Sequence, residues 1–165
     1  MKKVKDIFID NNIAKDFANP PNSNYQDLMD WLIKKHKNPE NNAFLVLSKK
    51  LLNEYYGSMT QVKSAENIII IVKTLTEEGR IQNFTLPKIK EFKRKHYKKR
   101  LETSLDLKRL GKDREHIPII LLSCRKYALI LDNKFINAIK NFPKFKATAE
   151  KKPENLPYKT GKPNC

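Results

Sequence analysis

Four acidic residues stand at the edges of the apolar runs of this chain. Asp10 closes IFID, Glu54 follows AFLVLSKKLLNE, Asp113 precedes IPIILL and Asp132 closes ALILD. The remainder is heavily basic, with a net charge of +16. A carboxylate beside a buried element is costly unless a cation or hydrogen bonds compensate it. Four that converge would form an oxygen-rich site suited to Mg2+ or Mn2+. A metal held by carboxylates can activate a water and neutralise charge on a phosphate, which is what phosphodiester hydrolysis requires. In that scheme Asp10 and Asp132 lie closest to the metal and Asp113 ligates directly or through water. Glu54 positions a water or acts as a base. Clustered carboxylates repel one another, so without metal at least one should hold its proton to higher pH. Taken singly, each acid has a blander reading as a turn or helix cap, Asp113 included.

The elements that must position these residues follow from hydrophobic periodicity. VKDIFID (4–10), AFLVL (43–47) and ALIL (128–131) read as short buried strands, with IQNFTL (81–86) and FKAT (145–148) as further candidates. Helices are expected over about 24–37, after Ser48 as N-cap, over 61–78 with Gly79 as the stop, over about 87–102, near 104–110, from Asp113 and from Phe135. Pro118 fits only the first turn of its helix. Strands alternating with helices predict an α/β fold with a parallel sheet covered on both faces. Ligand sites in such sheets lie beyond the carboxyl ends of the strands, where Asp10 and Asp132 stand. At 165 residues the chain reads as one domain over 1–148 and a Pro-, Lys- and Asn-rich tail over 149–165 expected to be disordered.

The pieces IFIDNN (8–12), LSKKLLNE (47–54), KDREHIPIILLS (112–123) and ALILDNKF (128–135), in that order, resemble the PIN-domain nucleases. The resemblance covers roughly residues 4–145 and rests on the ordered set, since each piece alone is common. It implies a three-layer α/β/α fold and a Mg2+- or Mn2+-dependent endoribonuclease. Asp10, Glu54, Asp113 and Asp132 then match the family's acidic quartet, with Asp10, Asp113 and Asp132 as metal ligands. Asn12 matches an Asn two positions after the first Asp, and Ser48 a small hydroxyl residue after the second strand. Lys134 departs from the pattern, because many members carry another Asp there. One well-held metal is therefore expected in the free protein. Many small members are the toxin of a toxin–antitoxin pair, which would supply an acidic antitoxin as partner, and the family often dimerises. The basic stretch 87–112 is longer than in the smallest toxins.

That stretch is the second chemical feature. LPKIKEFKRKHYKKR (86–100) holds eight basic residues and one acid. Lys88, Lys90, Lys93, Arg94, Lys95, Lys98, Lys99 and Arg100 are candidates for phosphate contacts that would make RNA binding salt-dependent. The bland alternative is a solvated helix face. Ile89, Phe92 and Tyr97 are expected to anchor the segment to the core. His116, one helical turn after Asp113, could touch a phosphate or the Asp113 carboxylate, or be a surface or satisfied histidine; His36 and His96 are expected to face solvent. Asp6 and Asp16 are expected to be solvated or paired with lysines. There is no CxxC zinc pattern, GxGxxG, Walker A loop or Ser-His-Asp signature. Two cysteines, Cys124 in an apolar segment and Cys165 at the end, are expected to be a core residue and a loose thiol, in a reduced cytoplasm. No apolar run approaches the ~20 residues that span a membrane. The alternative to an enzyme is a non-catalytic RNA-binding module.

Overall fold

The computed structural model describes residues 3–59, 66–97 and 108–165. Five strands, β1 (Lys5–Ile9), β2 (Ala43–Leu47), β3 (Ile81–Asn83), β4 (Tyr127–Leu129) and β5 (Thr148–Glu150), form one sheet in the order β3-β2-β1-β4-β5. Every neighbouring pair is parallel. The described helices are α1 (Asn11–Ala14), α2 (Ser23–Ile33), α3 (Lys49–Met59), α4 (Ile68–Glu77), α5 (Leu86–His96), α6 (Ile117–Leu122) and α7 (Asn133–Lys140). A 3-10 helix, Gly111–His116, runs directly into α6.

The strand order explains the layering. The chain moves outward from β1 to β2 to β3, then returns to the other side of β1 for β4 and β5. Right-handed crossovers place the helices of the first half on one face and those of the second half on the other. Accordingly α2 packs on α4 and β2, α3 packs on α1 and α4, and α5 packs on α6. The result is the expected three-layer α/β/α fold. Strands covered on both faces must be apolar throughout, and Ile7, Phe8, Ile9, Leu45, Val46, Ala128 and Leu129 are fully buried.

Local chemistry sets the helix ends. Asn22 caps α2 and Asn67 caps α4, each accepting from a backbone N–H two residues on. The apolar positions Tyr25, Leu28, Met29 and Leu32 of α2 recur at helical spacing and are buried. The expected helix 24–37 stops at Ile33, because the buried Arg80 reaches across and donates to the carbonyls of Leu32 (2.6 Å), Ile33 (2.8 Å) and Ala43 (3.2 Å). That guanidinium satisfies helix-end carbonyls that further turns would otherwise have used. Gly79 ends the α4 segment as expected, with φ +67°, which glycine adopts without a Cβ penalty.

The tail departs from expectation. The final strand is Thr148–Glu150 rather than 145–148, because Phe145 joins a ring cluster with Phe92 (5.4 Å) and Phe142 (5.9 Å). The segment beyond it is packed, not disordered. Leu156 and Tyr158 are buried, and Tyr158 meets Trp31 at 4.9 Å. Gly161 lies so close to Tyr127 that a Cβ there would collide with the phenol. Cys165 is disulfide-bonded to Cys124, so neither cysteine is free. The expectation of two thiols fails because residues 41 apart in sequence are brought together by the returning strap; with it goes the cysteine-based reason for expecting a reducing compartment.

The strap closes over a buried Asp6–Arg125 hydrogen-bond network at the amino end of the strands. Asp6, expected to be solvated, is fully buried. Its carboxylate accepts from the N–H groups of Cys124 (2.6 Å) and Arg125 (2.8 Å), and the Arg125 Nε donates to the Asp6 carbonyl (3.0 Å). Arg125 Nη1 donates onward to Tyr158 (2.7 Å) and Gly161 (3.1 Å) carbonyls, and its guanidinium lies 4.6 Å over the Tyr127 ring. Burial holds the Arg125 pKa down to about 10. Among the described residues, no helix is long and apolar enough to cross a membrane.

Candidate functional site

The opposite, carboxyl edge of the sheet carries the acids. Doubly wound sheets open a crevice where the strand order reverses, which here lies between β1 and β4. Asp10 follows β1 directly, and its N–H donates to the carbonyl of Leu129, the last residue of β4, at 2.9 Å. It thus sits on the reversal. Its side chain is buried and accepts a long bond, 3.4 Å, from the Asn12 N–H at the start of α1. Burial raises its pKa above the usual 3.8, and the negative charge of Asp113 raises it further; the Asn12 N–H and His116 offset part of this.

Asp113 occupies the first turn of the 3-10 helix rather than the N-terminus of an α-helix, and is half-buried. Its pKa is also raised, first by burial, with His116 opposing and Asp132 and Glu54 reinforcing. Asp113 is therefore the acid whose charge is coupled to those of Asp10, Asp132 and Glu54. Asp132 is exposed and accepts from the Phe135 N–H at 2.9 Å, so it caps α7 while also feeling Asp113.

Glu54 projects from α3 and differs from the other acids. Burial pushes its pKa up, but hydrogen bonding and charge from His116, aided by Lys50 and Lys112, bring it below the usual value. His116 is buried, with Nε2 2.9 Å from Glu54 Oε2. Its carboxylate partner is thus Glu54 on α3, not the Asp113 that stands one turn before it. Lys50, four residues before Glu54 on α3, lies 3.9 Å from Oε1 and donates to the Lys112 carbonyl at 2.6 Å. The sequence reading omitted Lys50 and Lys112; the i,i+4 Lys–Glu spacing was the available signal for Lys50.

The supporting residues divide. Ser48 is buried and caps α3, accepting from the Leu51 N–H at 3.2 Å, as expected. Asn12 contributes its backbone N–H, and its side chain is exposed. The neighbouring Asn11 donates to Ser58 Oγ at 2.6 Å and carries a buried Oδ1 without a partner among the described residues. Tyr55, fully buried, donates to the Ile9 carbonyl at 2.6 Å and so ties α3 to the residue before Asp10.

In α5, Lys88, Lys90, Arg94 and Lys95 are exposed. Lys95 pairs with Glu91 on the same helix, and Lys93 is half-buried against Glu115, each at 2.6 Å. Phe92 is buried, and Tyr97 packs on Phe92 and Phe142 while donating to the Arg114 carbonyl at 3.2 Å. These contacts dock the basic helix against the segment that bears Asp113. His96 packs on Phe92 and Phe145 and does not face solvent freely. Lys98, Lys99, Arg100 and most of the expected helix at 104–110 lie outside the described residues.

No family model matches this chain, and no curated protein or solved structure matches it. Among the described residues, no group of three or more His, Cys, Asp or Glu side chains is gathered closely enough to hold a metal ion. The acids are coupled through charge rather than drawn into a cage.

Proposed function

We propose that this chain is a metal-dependent endoribonuclease of the PIN type, hydrolysing RNA phosphodiester bonds at the carboxyl edge of its sheet. The observation that carries this reading is the pair Asp10 and Asp113. Both are raised in pKa by burial and by neighbouring negative charge at the strand-order reversal, and among the described residues no cation is hydrogen-bonded to or ion-paired with either. Such a pair gains from a divalent cation. Asp10, Asp113 and Asp132 would hold it, and Mg2+ or Mn2+ would neutralise phosphate charge and lower the pKa of a water. Glu54, held as a carboxylate by its neighbours, takes a proton from the attacking water as the new O–P bond forms. The bond from phosphorus to the leaving sugar oxygen breaks, and that oxygen takes up a proton from solvent. The exposed Lys88, Lys90, Arg94 and Lys95 contact the RNA backbone.

Cleavage of a single-stranded RNA with Mg2+ or Mn2+, compared with Asp10→Asn, tests the reading. The variant should lose activity by on the order of a thousandfold, the equivalent of several kcal/mol of electrostatic stabilisation. Metal-independent cleavage, or an undiminished variant, overturns it.

The loose spacing of the acids favours a second reading, an RNA-binding module without turnover. It predicts salt-sensitive RNA binding that Asp10→Asn leaves unchanged, with no cleavage by the unaltered protein.

A further inference from the structure

We propose that His116 is the positioning residue for Glu54, donating from Nε2 to the Glu54 carboxylate and holding it in place across the two helical layers. The kinetic part of this proposal rests on the nuclease reading above; the hydrogen bond itself does not. His116 closes the 3-10 helix, immediately before α6, on the second layer. Glu54 belongs to α3 on the first layer. The two are 62 residues apart in sequence and meet at 2.9 Å.

The donor assignment follows from the other ring nitrogen. The imidazole is 1% exposed, with the Phe8 ring 5.6 Å away, and its Nδ1 is buried without a partner among the described residues. A neutral imidazole has one N–H donor and one acceptor nitrogen. With the proton on Nδ1, a donor would be buried unpaired and the Nε2 lone pair would face the carboxylate. With the proton on Nε2, the ring makes a charge-assisted bond to Glu54, and only a lone pair is left unmet. The second arrangement avoids both penalties.

The consequence is for Glu54. A glutamate on a helix surface has three rotatable side-chain bonds and wanders unless held. Here one oxygen is bonded to His116 and the other lies 3.9 Å from Lys50, which is itself fixed on the Lys112 carbonyl. The carboxylate is thus held between residues of separate elements beside Asp113. A histidine that only stapled α3 to the 3-10 helix would show the same contact, so the discriminating readout is kinetic.

Three measurements on the full chain decide it. Long-range 1H–15N spectra of the unaltered protein should show the His116 proton on Nε2. With single-stranded RNA and Mg2+, His116→Phe keeps the ring volume against Phe8 and should lower kcat about a hundredfold with KM nearly unchanged, the scale of a misplaced catalytic group. His116→Gln, whose amide can donate from a similar place, should recover most of that loss. A proton on Nδ1 with none on Nε2 overturns the proposal whether or not the variants fold. Variants that cleave like the unaltered protein while Asp10→Asn is inactive overturn it and leave the nuclease reading standing. An unaltered protein that does not cleave RNA overturns the nuclease reading and the kinetic role together, and the tautomer alone then decides whether His116 donates to Glu54.

Discussion

Asp6 and Asp10 lie four residues apart at the two ends of one strand, and both are buried. Burial is also the first cause of the raised pKa of each. Their surroundings are opposite. Asp6 is met by two short backbone N–H bonds and a buried guanidinium that a disulfide-tethered strap covers. Asp10 is met by one long N–H bond and by the negative charge of Asp113. The charge nearest Asp6 is the cationic Arg125, whereas at Asp10 the negative charge of Asp113 outweighs the partial offset from His116. A buried acid completed by its own chain acts as a brace, and it is at Asp10 that the proposed metal would supply what the chain does not.

That contrast can be broken most forcefully at the brace. Asp6→Ala should cost about 3–5 kcal/mol in urea denaturation, because it leaves the buried N–H groups of Cys124 and Arg125 unpaired and removes the negative charge facing the Arg125 guanidinium. A loss no larger than that of an ordinary surface substitution would mean the amino edge is not a brace.

Next comes the strap. Cys165→Ser should cost about 2–4 kcal/mol, the usual range for closing a loop of this size. It should also change the fluorescence of Trp31, the single tryptophan, which packs on Tyr158. Unchanged stability and emission would show that the strap holds without the disulfide.

The smallest effect sharpens the other edge. The folded pKa values of Asp10 and Asp113 are raised above 3.8. Between that value and the raised ones, the native state binds more protons than the unfolded state, so stability falls as pH rises through the window. Mg2+ should restore it above the window by about 1 kcal/mol, roughly 2–4 °C in Tm, and do nothing below it. Asp10→Asn should flatten both the fall and the Mg2+ response. An equal Mg2+ effect on both sides of the window would locate the ion elsewhere.

Much of the fold was legible because its signals are local. Apolar runs, the Asn and Ser caps and Gly79 marked β1, β2, β4 and most helices, and the strand-end rule put Asp10 and Asp132 on one edge. Element ends were less legible wherever a distant group decided them. Arg80 stops α2 from another strand's approach, and the ring cluster draws Phe145 away from β5. At the site, the four acids were legible by position, but their environments were not. Asp113 as the shared neighbour, His116 on Glu54 and Lys50 beside it depend on which helices the strand order brings together.

The sequence by itself determined the alternation of strands and helices, the basic balance and the set of acids at strand and helix edges, because periodicity and end preferences act over a few residues. Only the tertiary structure decided which acids are completed and which are left bare. Asp6 meets Arg125 and Cys124 meets Cys165 only after the chain has crossed the sheet, and Glu54 meets His116 only where two layers close over one edge. A carboxylate's state depends on burial and on charges a few ångströms away, and those are fixed by contacts between residues far apart in the chain.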